Sequence, residues 1–69
     1  MKLLDVVALT EDIPEKRLLR GQVGTLVEQL RPEVFEVEFA DISGRTYALI
    51  AVPKARLMVL YHQPIDRAA

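Results

Sequence analysis

Gly21-Gln22-Val23-Gly24-Thr25-Leu26-Val27-Glu28-Gln29-Leu30 is the stretch on which the fold turns. Two glycines frame a turn that runs straight into β-branched and leucine residues, the mark of a tight entry into a β-strand. Everything after it consists of short apolar runs at close spacing, separated by turn residues.

Downstream, Arg31-Pro32-Glu33 reads as a turn in which Pro32 presets φ. Val34 to Ala40 is the cleanest element of the chain. Phe35, Val37 and Phe39 alternate with Glu36 and Glu38, so one face is expected inside and the other in water. Asp41-Ile42-Ser43-Gly44 predicts a hairpin turn with Gly44 at positive φ. Arg45 to Val52 is the next strand, ended by Pro53, and Pro53 to Arg56 is a single helical turn. Leu57 to Tyr61 is the last strand, and His62 to Ala69 is a polar tail expected to fray.

Upstream, Leu3 to Leu9 is a first apolar strand, favoured over a helix by Val6-Val7 and by the turn signals after Thr10. Thr10 to Gln22 is the longest irregular segment. Ile13-Pro14 breaks strand pairing there, and Leu18 and Leu19 are expected to fold back as a lid on one end of the core. A loop of this size in so small a domain is where binding often sits. Five short strands, hairpin-linked after a long first loop, with one helical turn before the fifth, predict an all-β fold. Its architecture is expected to be a small five-stranded SH3-like barrel, one domain over 1–69 with its core at about 3–61. An OB-fold needs a longer chain and a helix where this sequence has only the Asp41–Gly44 turn.

Composition narrows the function classes. The 69 residues are 51% hydrophobic, enough for one packed core and too many for a disordered segment. Cysteine is absent and there is one histidine, so disulfides and cysteine-zinc sites are excluded. A net charge of −1 and a pI near 5.7 give no broad attraction to nucleic acid or anionic membrane. Met1-Lys2-Leu3-Leu4 begins like a signal peptide but is interrupted by Asp5 and Glu11-Asp12, and no apolar run approaches transmembrane length. A soluble cytoplasmic protein is expected.

Lys2-Leu-Leu-Asp-Val-Val-Ala-Leu9, Arg20-Gly-Gln-Val-Gly-Thr25, Phe35-Glu-Val-Glu-Phe39 and Gly44-Arg-Thr-Tyr-Ala-Leu49 together resemble an uncharacterised bacterial family classed only as a domain of unknown function. The resemblance runs from Lys2 to about Leu60. It implies an SH3-like barrel, distantly similar to that of the nitrile hydratase β subunit, and carries over no catalytic residue. Relatives tend to have a threonine near Ala51, so a role for that hydroxyl does not transfer. Some relatives are encoded beside small toxin-like proteins, which implies an antitoxin or immunity role as one alternative, with a toxin-like partner.

Gly21-x-x-Gly24-x-Leu26 is similar to the turn of ribosome-associated KOW segments, and Lys16, Arg17, Arg20 and Arg45 are the residues that would contact RNA phosphate. The acidic pI, the lack of tryptophan and the outward Glu36 and Glu38 weigh against that alternative. Glu36 and Glu38, with Glu28 across the hairpin, have the form of a cation or acid–base cluster. Solvated faces of half-buried strands carry the same pattern, and no nucleophile or phosphate loop accompanies it. No catalytic residue, cofactor or metal site is assigned, and His62 is read as a solvated residue.

More informative is where alternation fails. Val6-Val7-Ala8-Leu9, Ala48-Leu49-Ile50-Ala51-Val52 and Leu57-Met58-Val59-Leu60-Tyr61 are apolar on both faces. A five-stranded barrel has one interior, so half of these side chains must point outward, with the first and fifth strands as neighbours. A loop-covered second small core would account for them, and so would contact with another protein or a second copy. The expected function is therefore a non-catalytic protein–protein interaction module. Its candidate contact residues are Val7, Leu9, Ile50, Met58 and Leu60, with parity left open by the apolar character of both faces.

Overall fold

The computed structural model describes residues 1–64 and contains five β-strands and two 3-10 turns. The strands are β1 (Val6–Leu9), β2 (Val23–Arg31), β3 (Val34–Ala40), β4 (Thr46–Pro53) and β5 (Leu57–Val59). All pairings are antiparallel, in one sheet of order β4-β3-β2-β1-β5. The first and fifth strands are neighbours, as expected from the sequence. The part of the tail at 65–69 lies outside the described residues.

Register follows the hydrophobic pattern. Phe35, Val37 and Phe39 face Val52, Ile50 and Ala48 on β4, while Glu36 and Glu38 lie on the opposite face against Ala51 and Leu49. The inward row continues through Val37↔Leu26 and Phe39↔Gly24 to Val7, and from β1 to β5 through Val7↔Val59 and Leu9↔Leu57. The resulting core is Val7, Leu9, Ile13, Leu18, Leu26, Phe35, Val37, Phe39, Val52 and Leu57. It contains no buried polar side chain.

Gly24 is where packing, not turn geometry, demands glycine. It sits inside β2, paired with Val7 and Phe39, and an added Cβ would lie 2.6 Å from Val37 Cγ1 and 2.9 Å from the Glu38 carbonyl. Gly21, at φ +92, is the turn glycine of the quoted stretch. Its N–H donates to Leu9 O at 2.8 Å, which closes the base of the long loop.

That loop is ordered by its own apolar pair. Ile13 and Leu18 bridge each other around a 3-10 turn at Pro14–Lys16, with Arg17 left-handed at φ 58, and both side chains enter the core. Leu18 is thus the lid expected of it; Leu19 stays exposed. The first strand is shorter than expected. Lys2 to Asp5 form a turn in which the Lys2 N–H and Nζ both donate to the Asp5 carboxylate, and Leu3 and Leu4 are left exposed. The last strand is also shorter than Leu57–Tyr61, ending at Val59, although the Leu60 N–H still donates to Val6 O at 2.8 Å.

Candidate functional site

The strand parity divides the residues expected at a contact surface. Val7 and Leu9 are buried, and Ile50 packs against the core from the inner face of β4. These three point inward, opposite to a contact role. The reason is register. Val7 pairs with Gly24, and Gly24 in turn with the buried Phe39, so Val7 shares their inner face. Met58 is outward and about half exposed, and Leu60, two residues further on, shares its side.

The outward set on this part of the sheet is accordingly Val6, Ala8, Val23, Met58 and Leu60. Ala8 pairs with both Val23 and Met58, making a continuous apolar row across β2, β1 and β5. Val6, paired with Thr25 and bonded through its carbonyl to Leu60, forms the next row. Ala8 is itself buried, between neighbours that are not: Val23 and Met58 are 46% and 53% exposed. At the loop end of this band, Ala8, Leu9, Thr10, Arg20, Gly21 and Met58 line a shallow open cleft of about 420 Å³. The signal that would have named Val6 and Ala8 rather than Val7 and Leu9 is Gly24, read as a packing glycine instead of a turn glycine.

The basic residues of the RNA alternative are exposed, and acids stand among them. Lys16, Arg17 and Arg20 lie in the Thr10–Gln22 loop with Glu11, Asp12 and Glu15. The Asp12 carboxylate accepts the Arg20 N–H at 2.8 Å, and Glu11 pairs with Arg56 Nε at 2.9 Å. Arg45 belongs to the β3–β4 hairpin, which Gln22 Nε2 ties to the loop by donating to Tyr47 Oη at 3.2 Å. Charges of both signs line this rim, and no single-sign stripe for a phosphate backbone results.

Glu28 does stand opposite Glu36, as the hairpin predicts, and Glu38 accepts the Thr46 hydroxyl at 2.7 Å. Among the described residues, no three acidic or histidine side chains are placed to hold a metal ion. Two carboxyls in turns are held below their ordinary range. Asp5 is lowered by its bonds from Lys2, and Asp41 by the Ser43 hydroxyl and the Arg45 N–H. Both stabilise turns. Among the described residues, no helix is long and apolar enough to cross a membrane.

The family model described as "Domain of unknown function (DUF4926)" matches residues 3–59. No curated protein and no solved structure matches the chain.

Proposed function

The chain belongs to the DUF4926 family, and we propose that it is a non-catalytic protein–protein interaction module of the bacterial cytoplasm, built as an SH3-like barrel. The strand order, the long first loop and the 3-10 turn before the last strand support the barrel reading.

One observation carries the interaction reading. The outer faces of β1, β2 and β5 join Val6, Ala8, Val23, Met58 and Leu60 into an apolar band. The segment best placed to cover that band, the Thr10–Gln22 loop, instead commits Ile13 and Leu18 to the inner core. Burying a side chain of this size is worth roughly 1.5–3 kcal/mol, so Met58, Val23 and Leu60 together supply a driving term for association. The partner is a protein with a complementary apolar surface. An antitoxin or immunity role would use the same band against a toxin-like partner.

Met58→Asp tests this. Because Met58 is half exposed, the variant should fold and melt like the wild type. An unpaired carboxylate at the centre of the band should abolish capture of a partner that the wild-type protein retains from native-host lysate. Equal capture by the two proteins, or no specific partner for the wild type, would count against the band.

A further inference from the structure

We propose that the free edge of β4 is a separate interface, on which a second copy of this chain docks strand to strand. β4 is the outermost strand on its side, and the described residues supply a ladder to it only from β3. Thr46–Pro53 carries no charged residue. Natural edges are usually shortened, charged or covered, because a row of unpaired N–H and C=O groups is a template for another strand. The opposite edge is protected in that way: β5 has three residues and is preceded by the Arg56–Glu11 ion pair. On β4 a bulge at Tyr47 and the proline at 53 only bound the template, leaving Ala48 to Val52 regular between them.

Both faces of this segment are incompletely covered. Leu49 is 54% exposed on the outer face, and on the inner face Ala48 and Ile50 are only partly buried while Val52 is fully buried. An added strand would complete both faces at once, which a docked loop or helix would not.

Symmetry argues that the added strand is another β4. Antiparallel pairing that keeps the outer faces of both sheets on one side needs a two-fold axis perpendicular to the sheet, through Leu49 or Ile50. Through Leu49, the axis sets leucine against leucine and Ala48 against Ile50 of the second copy. Through Ile50, it sets Leu49 against Ala51 and Ala48 against Val52 of that copy. Beside the like pair on the axis, Leu49 or Ile50, each register places an alanine opposite a larger side chain. The ends are also compatible. Arg45 closes the hairpin on Asp41, and the Lys54 N–H donates to Glu33 O, so each end carries charges of both signs. The two-fold sets each end against the opposite end of the other copy, and no end meets like charges alone.

A strand pair of this length is small for a stable complex, so the dimer should dissociate on the order of micromolar concentration. Sedimentation equilibrium of the wild type should show a monomer–dimer equilibrium in that range. Leu49→Lys should keep the melting temperature, because the lysine would stand across from Glu38, and should weaken the dimer roughly tenfold or more by charging the edge. Met58→Asp should leave the dimer intact. Alternate amides of Ala48 to Val52 should exchange more slowly as protein concentration rises. A wild type that stays monomeric at every concentration overturns the proposal, and so does a dimer that Leu49→Lys leaves unchanged. A dimer lost in Met58→Asp but not in Leu49→Lys would assign self-association to the outer band and overturn the edge alone.

Discussion

β3 and β4 pair along their length, yet their outer faces are patterned in opposite ways. β3 is central and alternates strictly: Phe35, Val37 and Phe39 are buried, and Glu36 and Glu38 stand in partial contact with water. β4 is an edge and carries no charge, so its outer face offers Leu49 and Ala51 where β3 offers carboxylates. In β3 the pattern specifies register, because a slip of one residue would bury two glutamates. In β4 register is imposed by its neighbour. Its own apolar excess is surplus to the core, and it is there that an external contact has something to gain.

The largest effects should lie on the β3 side of that contrast. Phe39→Ala empties the centre of the core and should cost about 3–5 kcal/mol, comparable with the whole stability of so small a domain. Leu49→Ala, half exposed on the adjacent strand, should cost about 0.5 kcal/mol. Glu36→Gln should be neutral or slightly favourable, since it relieves the like charge of Glu28 opposite. Chemical denaturation of the three variants checks the order. A Leu49 variant as damaged as the Phe39 variant would show that β4 contributes to the core from both faces, and the contrast would fail.

Gly24→Ala sharpens the same side. The new methyl meets Val37 Cγ1 and the Glu38 backbone, both held by β3, so neither can give way cheaply. Overpacking here should cost about 1–3 kcal/mol although the φ of Gly24 suits any residue. A neutral result in a urea titration would mean that β2 and β3 separate more easily than their ladder implies.

The contrast also explains what could be read from the sequence. Val34–Ala40, the Asp41–Gly44 turn and the single helical turn after β4 were legible because period, turn chemistry and proline placement agree locally. The direction of Val7, Leu9 and Ile50 was not, because a strand apolar on both faces contains no parity signal. Its register is set across the ladder by Gly24, Val37 and Phe39, at long sequence separation. Leu4 was hidden for a related reason. Its φ of 72 and the Lys2–Asp5 contact end the first strand early, where propensity alone favours continuing it.

The joint between the two strands gives the next effect in size. Gly44 adopts φ +88, with nothing within 4 Å of a Cβ placed there, so a substitution acts through the backbone alone. Gly44→Val should destabilise by about 1–2 kcal/mol, the usual cost of a left-handed conformation for a residue with a Cβ. Thermal melts of Gly44→Val beside Gly44→Asn test the cause, because asparagine tolerates this region and should recover part of the loss. Equal melting of the two would point to something other than φ.

The smallest effect separates the same loop from the strands by its response to acid. Asp41 Oδ1 accepts from the Ser43 hydroxyl at 2.7 Å and from the Ser43 and Arg45 N–H groups, each at 3.0 Å. These bonds favour the carboxylate, with the Ser43 hydroxyl first among them, and hold its pKa below the ordinary aspartate value of 3.8. A group depressed in the folded state contributes stability above its unfolded pKa and loses it as pH falls through the folded one. Folded protein therefore binds fewer protons than unfolded protein in that window, and stability should decline on acidification below about pH 4. The site is exposed, so solvent keeps the contribution modest. Asp41→Asn, which retains an acceptor but not the charge, should be slightly less stable at neutral pH and should show a shallower decline in acid. What remains of the slope should belong in part to Asp5, lowered in the same direction by Lys2. Urea midpoints followed from about pH 6 to about pH 2.5 measure both slopes. Parallel curves for the two proteins would show that the loop carboxylate is spectator to the hairpin, and that β3 and β4 are held together by their ladder without it.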